Sequence, residues 1–232
     1  MNTARIVHRS ACLLIVLFCG YMAVTSAQMV PSENEIAAYR GLHLAAIRDD
    51  LPMLKMLIAQ GADLEARDSA GRTPLHVAAY ASRYDIVREL IESGANANAF
   101  ENQAYDIVTI AAVADDLQML DLALDLGVSA RNITSPYDGT ALIAAAHLGH
   151  YTVVKRLIRA GAPLDHVNNL GWTALIEAVI LGNGGHQHVE TVRELVAAGA
   201  DKTLVDRQGL TPLEHARANG YRQIVAVLEE IR

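Results

Sequence analysis

The chain has 232 residues, 52% of them hydrophobic and only 5% aromatic, with a formal net charge of −7. That is ample for one continuous core built from aliphatic residues and alanine. The acidic balance leaves no basic footprint for nucleic acid and disfavours an anionic membrane surface.

Met1 to Ser10 carries Arg5 and Arg9 and no acid. An apolar run from Ala11 to Tyr21 comes next, and Thr25-Ser26-Ala27 then offers small residues at a cleavage position. This three-part pattern predicts a secretory signal over residues 1–27, cleaved after Ala27. An uncleaved anchor and a lipoprotein are the alternatives. The anchor is short for a bilayer span, and Phe18 stands before Cys19 where a lipoprotein needs a small residue. Arg5 and Arg9 stay cytoplasmic under all three readings, so the rest of the chain is exported. The expected location is periplasmic or secreted, with no membrane insertion after cleavage. Cys12 and Cys19 both lie in this segment. The mature chain therefore has no disulfide, thiolate metal site or cysteine nucleophile. Cleavage also leaves 17 basic against 26 acidic residues.

Residues 28–34 form a short lead, in which Ser32 with Glu35 reads as a capping box opening a helix. From there the chain repeats. Gly61, Gly94, Gly127, Gly161 and Gly199 stand at steps of 33, 33, 34 and 38 residues. The pairs Ala45-Ala46, Ala78-Ala79, Ala111-Ala112 and Ala145-Ala146 keep the same step. The repeats fall at about 35–67, 68–100, 101–133, 134–167, 168–205 and 206–232.

The clearest unit contains Thr73-Pro74-Leu75-His76-Val77-Ala78-Ala79. Thr73 can cap a helix and Pro74 suits its first position, where the missing N–H is no loss. The alanines allow close approach of a neighbouring unit. Ile86, Val87, Leu90 and Ile91 fall at helical spacing, and Gly94 ends that second helix in a left-handed residue. One unit cannot bury its own apolar face, whereas a stack can.

This pattern resembles the ankyrin-repeat family, through T-P-L-H-V-A-A at 73–79 and G-A-D at 61–63 and 199–201. The resemblance implies an all-α repeat solenoid of about six helix-turn-helix units joined by β-hairpin loops. The stretch from Gly139 to Val192 resembles small bacterial ankyrin proteins more closely, several of which carry export signals. It implies a fold and a binding habit rather than a reaction.

Departures from the pattern locate special positions. The first repeat lacks T-P-L and has Arg40-Gly41-Leu42-His43 in that place, and Tyr39, Arg40 and Arg48 add polarity expected of an end unit. The third has Asp106-Ile107-Val108 in that place and Ala104 where others have the turn glycine, so its turn is the least secure. The fifth carries Gly182-Asn183-Gly184-Gly185-His186-Gln187-His188, read as about five extra residues in the turn between its helices. Polar residues Arg222, Gln223, Glu229, Glu230 and Arg232 mark a C-terminal cap. Asn132-Ile133-Thr134 matches a glycosylation sequon by letter.

The family binds mostly through hairpin tips and the exposed ends of first helices, which line a concave face. Carried over by position, this implies partner contacts at Arg72, Tyr80, Tyr105, Tyr137, Asp138, His147, Asn169, Trp172 and Arg207. Trp172 is the sole tryptophan, at a position expected to face solvent. Tyr105, Tyr137 and Trp172 fall in successive repeats as an aromatic strip. His76 matches the family's hairpin-supporting histidine. Catalytic signatures are absent from the sequence: no G-x-S-x-G, no H-E-x-x-H and no phosphate loop. Asp115-Asp116 and Glu229-Glu230 read as solvated charge, since adjacent helix residues diverge.

The expected function is that of a non-enzymatic exported scaffold, monomeric and without cofactor, holding an extracytoplasmic protein partner. Two alternatives stand beside it. One is a small metal-dependent enzyme or metal binder using His186, His188 and Glu190, although two imidazoles are too few for a site. The other is a secreted effector acting on another cell.

Overall fold

A computed structural model describes residues 30–230. The signal read over residues 1–27 lies outside the described residues, as does Arg232. The described residues form thirteen helices. A short α1 (Glu33–Ala38) precedes six pairs. These are α2 (Gly41–Arg48) with α3 (Leu51–Ala59), α4 (Pro74–Tyr80) with α5 (Tyr84–Glu92), and α6 (Ile107–Val113) with α7 (Leu117–Asp125). Then come α8 (Ala141–Leu148) with α9 (Tyr151–Arg159), α10 (Ala174–Ile180) with α11 (His186–Ala197), and α12 (Pro212–Ala218) with α13 (Arg222–Glu229).

The first helices of successive pairs pack side by side, and so do the second helices, which makes two layers. The alanine pairs are the spacers between first helices, and each of the eight is at most 4% exposed. Ile86, Val87 and Leu90 of α5 are fully buried, and Val153, Val154 and Leu157 of α9 repeat that arrangement. The five closing glycines all take positive φ. The next residue's N–H then reaches back to the helix, as from Ala95 to the Leu90 carbonyl at 2.9 Å.

First helices are capped in a regular way. Thr140, Thr173 and Thr211 accept from the third helical N–H, and Asp106 does the same for Thr109 at 2.7 Å. His76 replaces the usual acid of a capping box. Its Nδ1 accepts from the Thr73 N–H, while Nε2 donates to the Ala99 and Tyr105 carbonyls of the next loop.

The loops between pairs are tight antiparallel turns rather than strands. Among the described residues the one bridge is Thr134 with Gly139. The turn of the third repeat forms with Ala104 in the left-handed region at φ +57. The second and fifth repeats use Gly71 and Gly171, and the fourth repeat uses Asp138 at φ +53.

Three expectations need correction. Tyr39 is buried rather than polar surface, because its hydroxyl donates to Asp68 at 2.7 Å. Arg72 is 1% exposed. The extra residues of the fifth repeat are not all loop: α11 begins at His186 and has 12 residues where α9 has 9. The insertion is therefore shared between a short glycine turn and an added turn of helix.

Candidate partner-binding face

Each hairpin is tied by one side-chain acceptor. Asp68 Oδ1 accepts the N–H groups of Ala70 and Arg72, both at 2.9 Å. Glu101 does so for Gln103 and Tyr105, Asn168 for Leu170 and Trp172, and Asp206 for Gln208 and Leu210. Ser135 fills the role in the fourth repeat. Neighbouring hairpins are joined as well. Asn102 N–H donates to Ala70 O, Ser135 N–H to Ala104 O, and Asn169 N–H to Tyr137 O. Arg207 closes the row by donating to the Asn169 carbonyl. The tips therefore sit on a connected backbone, and residues on them are held without a separate ordering cost.

Of the nine residues expected at the interface, Tyr137, Asp138, Asn169 and Arg207 are exposed, all at the tips of the last three hairpins. Trp172 is half-buried and not solvent-facing as expected, as are Tyr80 and His147. Tyr105 is 6% exposed and is not a freestanding contact. Arg72 leaves the set altogether. Its guanidinium bonds Asp68 at 2.6 Å and Glu35 at 2.5 Å, which fastens α1 to the hairpin of the second repeat. Burial by itself raises the Asp68 carboxyl. The bonds from Tyr39 and Arg72 outweigh that and hold it below the usual carboxylate range.

The histidines of the fifth repeat do not act together. His188 is buried, with Nε2 on the His147 carbonyl at 2.9 Å and Nδ1 on Asn183 at 3.2 Å. Burial lowers its basicity. His186 is exposed and meets the Tyr151 ring edge-on. The pair read as two ligands is thus split, and among the described residues no three His, Cys, Asp or Glu side chains gather to hold a metal.

Two acids escaped the sequence reading. Glu101 is 4% and Glu177 7% exposed. One oxygen of Glu177 lies 3.6 Å from His147 Nδ1. Burial raises the Glu177 carboxyl, and His147 pulls it back. The signal was available: Glu177 stands at the fourth helical position, where the preceding repeats have Val77, Ile110 and Ala144.

The model for "Ankyrin repeats (3 copies)" matches residues 14–104 and 108–204. The chain belongs to the ankyrin-repeat family. The ankyrin repeat protein YahD of Escherichia coli (strain K12) is 32% identical over 186 residues, 80% of this chain and 92% of that one. An ankyrin repeat domain from Acinetobacter baumannii AYE superposes with a TM-score of 0.76 at 44% identity, over 81% of this chain and 95% of that one. One chain of the complex between the Bdellovibrio bacteriovorus predatory endopeptidase Bd0816 and the immunity protein Bd3460 also matches. It has a TM-score of 0.66 at 25% identity, over 84% of this chain and 99% of that one. Ankyrin repeats generally mediate protein–protein interaction. Among the described residues no helix is long and apolar enough to cross a membrane.

Proposed function

We propose that the chain is an exported, non-enzymatic scaffold that holds an extracytoplasmic protein partner against the face formed by its hairpins and first helices. The observation that carries this reading is the row of exposed tip residues, Tyr137, Asp138, Asn169 and Arg207, on hairpins bonded to one another. Trp172 lies half-buried behind them and supplies apolar area. Export is supported by the charge and apolar pattern of residues 1–27. The likeness to a chain of an endopeptidase–immunity protein complex makes an exported hydrolase the first partner class to test.

The test is a crosslinking capture with the tagged chain from the extracytoplasmic fraction, read by mass spectrometry. The control is the Tyr137→Ala/Trp172→Ala double variant. The reading expects one protein enriched by the wild type and lost with the control. Recovery of the tagged chain in the cytoplasm, or equal enrichment by both baits, would overturn it.

A further inference from the structure

Asn-Gly occurs twice in the chain, at Asn183-Gly184 and at Asn219-Gly220. A glycine after asparagine has no side chain to shield its nitrogen, which can close a five-membered ring on the side-chain amide. The two places are built differently. Asn183 is exposed, in the turn that leads into α11. Its side chain folds back over the following peptide, and Oδ1 accepts the Gly185 N–H at 2.9 Å. The same Oδ1 lies 3.2 Å from Nδ1 of the buried His188 ring. That ring is fixed from behind, with Nε2 on the His147 carbonyl at 2.9 Å and its face against Gly149. Gly184 stands between these groups at φ +68, and among the described residues its N–H has no acceptor. Asn219, by contrast, ends α12 in helical backbone at φ −82 and ψ −7. There the Gly220 N–H is held by the Arg217 carbonyl at 3.1 Å, and the Asn219 amide reaches only the Val179 carbonyl, at 3.5 Å.

We propose that Asn183 is a self-modification site, its side-chain amide activated by the inserted turn for conversion to a carboxylate. The Gly184 nitrogen bonds to Cγ of Asn183. Water takes the Gly184 proton and returns one to Nδ2, which leaves as ammonia when the Cγ–Nδ2 bond breaks. A second water opens the cyclic imide at either of its carbonyls and leaves aspartate or isoaspartate at position 183. Nothing is oxidised or reduced. Negative charge gathers on Oδ1 in the first step, where two donors are already aimed, the arrangement that lowers barriers in acyl transfer. The Nδ1–H form of His188 donates to Oδ1, and the charged ring donates to Oδ1 and the His147 carbonyl together. Isoaspartate adds a carbon to the main chain of a turn with little slack. The Gly182 carbonyl accepts from Tyr221 at 2.8 Å, and Gly184 lies against the Tyr221 ring. The modification therefore loosens the fifth repeat from the sixth. It stands apart from the partner-binding reading.

The test keeps the purified exported chain at neutral pH for weeks, folded and in urea. Peptide mass spectrometry with electron-based fragmentation separates aspartate from isoaspartate and reads positions 183 and 219 in one sample. In the folded chain position 183 is expected to convert at least about tenfold faster than 219, and in urea the two rates should converge. His188→Phe keeps a planar ring without a donor, and it should slow position 183 at least about fivefold while leaving 219 as it was. No conversion at 183, equal rates at the two positions in the folded chain, or a rate at 183 that rises on unfolding would overturn the site. A folded His188→Phe chain that converts 183 at the wild-type rate would overturn the two-donor mechanism. Should that variant not fold, the wild-type rates at 183 and 219, folded against unfolded, decide the matter alone.

Discussion

Ala104 turns its hairpin at φ +57, a region where a side chain costs about 1–2 kcal/mol. Glycine there loses part of that gain to unfolded-chain entropy, so Ala104→Gly should raise stability by about 1 kcal/mol in urea denaturation. His76 gives a pH signature. Burial first, with Arg67 adding to it, lowers its folded value from 6.5 to about 4, and the carbonyl bonds from Tyr105 and Ala99 only partly oppose this. Above about pH 6.5 both states are neutral and the ring contributes nothing. As pH falls toward 4 the unfolded chain takes a proton that the folded chain refuses, and about 3 kcal/mol is lost. His76→Gln should be less stable at pH 7 and should flatten that slope. Tyr80→Phe removes a hydroxyl that is buried without a protein partner, and thermal melts should show it unchanged or stabilised by about 1 kcal/mol. His76 was legible because its neighbours spell the repeat. Arg72 was not. Its place in the hairpin suggests a tip, and its burial depends on α1 folding back to bring Glu35 within 2.5 Å.

The fifth pair shows where element boundaries escape a reading of spacing. A step of 38 residues gives the length of the insertion but not its division between loop and helix. That division is set by His188, whose ring reaches the carbonyl of His147 in the preceding repeat and anchors the first turn of α11. The glycines then close the remaining gap. A Cβ on Gly182 would run into the Ala178 carbonyl and the His188 ring. The Gly182 carbonyl accepts from Tyr221 at 2.8 Å, so the turn is also seated on the last repeat. Gly182→Ala should cost about 2–3 kcal/mol, visible as a lower urea midpoint. Gly94→Ala, with open space at its Cβ, should cost only the strain of its positive φ, about 1–2 kcal/mol. The two-layer stack and the glycine ends of the second helices were legible, because each depends on a residue type at a fixed step. The acceptor that ties each hairpin was not, because Asp68, Glu101, Ser135, Asn168 and Asp206 serve one function with four different residue types.

Stability in such a stack is a sum over units and their interfaces, so the ends matter most for solubility. At one end α1 covers the first pair and is held by Glu35 to Arg72. At the other, Arg222, Gln223, Glu229 and Glu230 face water while Ile224, Val227 and Leu228 seal the core. Deleting residues 206–232 should lower both the melting temperature and solubility by uncovering the apolar side of α10 and α11. The proposed partner lies on the face opposite the second-helix layer. Hydrogen–deuterium exchange on the chain, free and bound to its captured partner, reads that placement segment by segment. Slowed exchange at 101–105, 135–139 and 168–172, with the exposed side of α5, α7 and α9 unchanged, is the expected result. Protection confined to the second helices, with the hairpins exchanging as in the free chain, would contradict it.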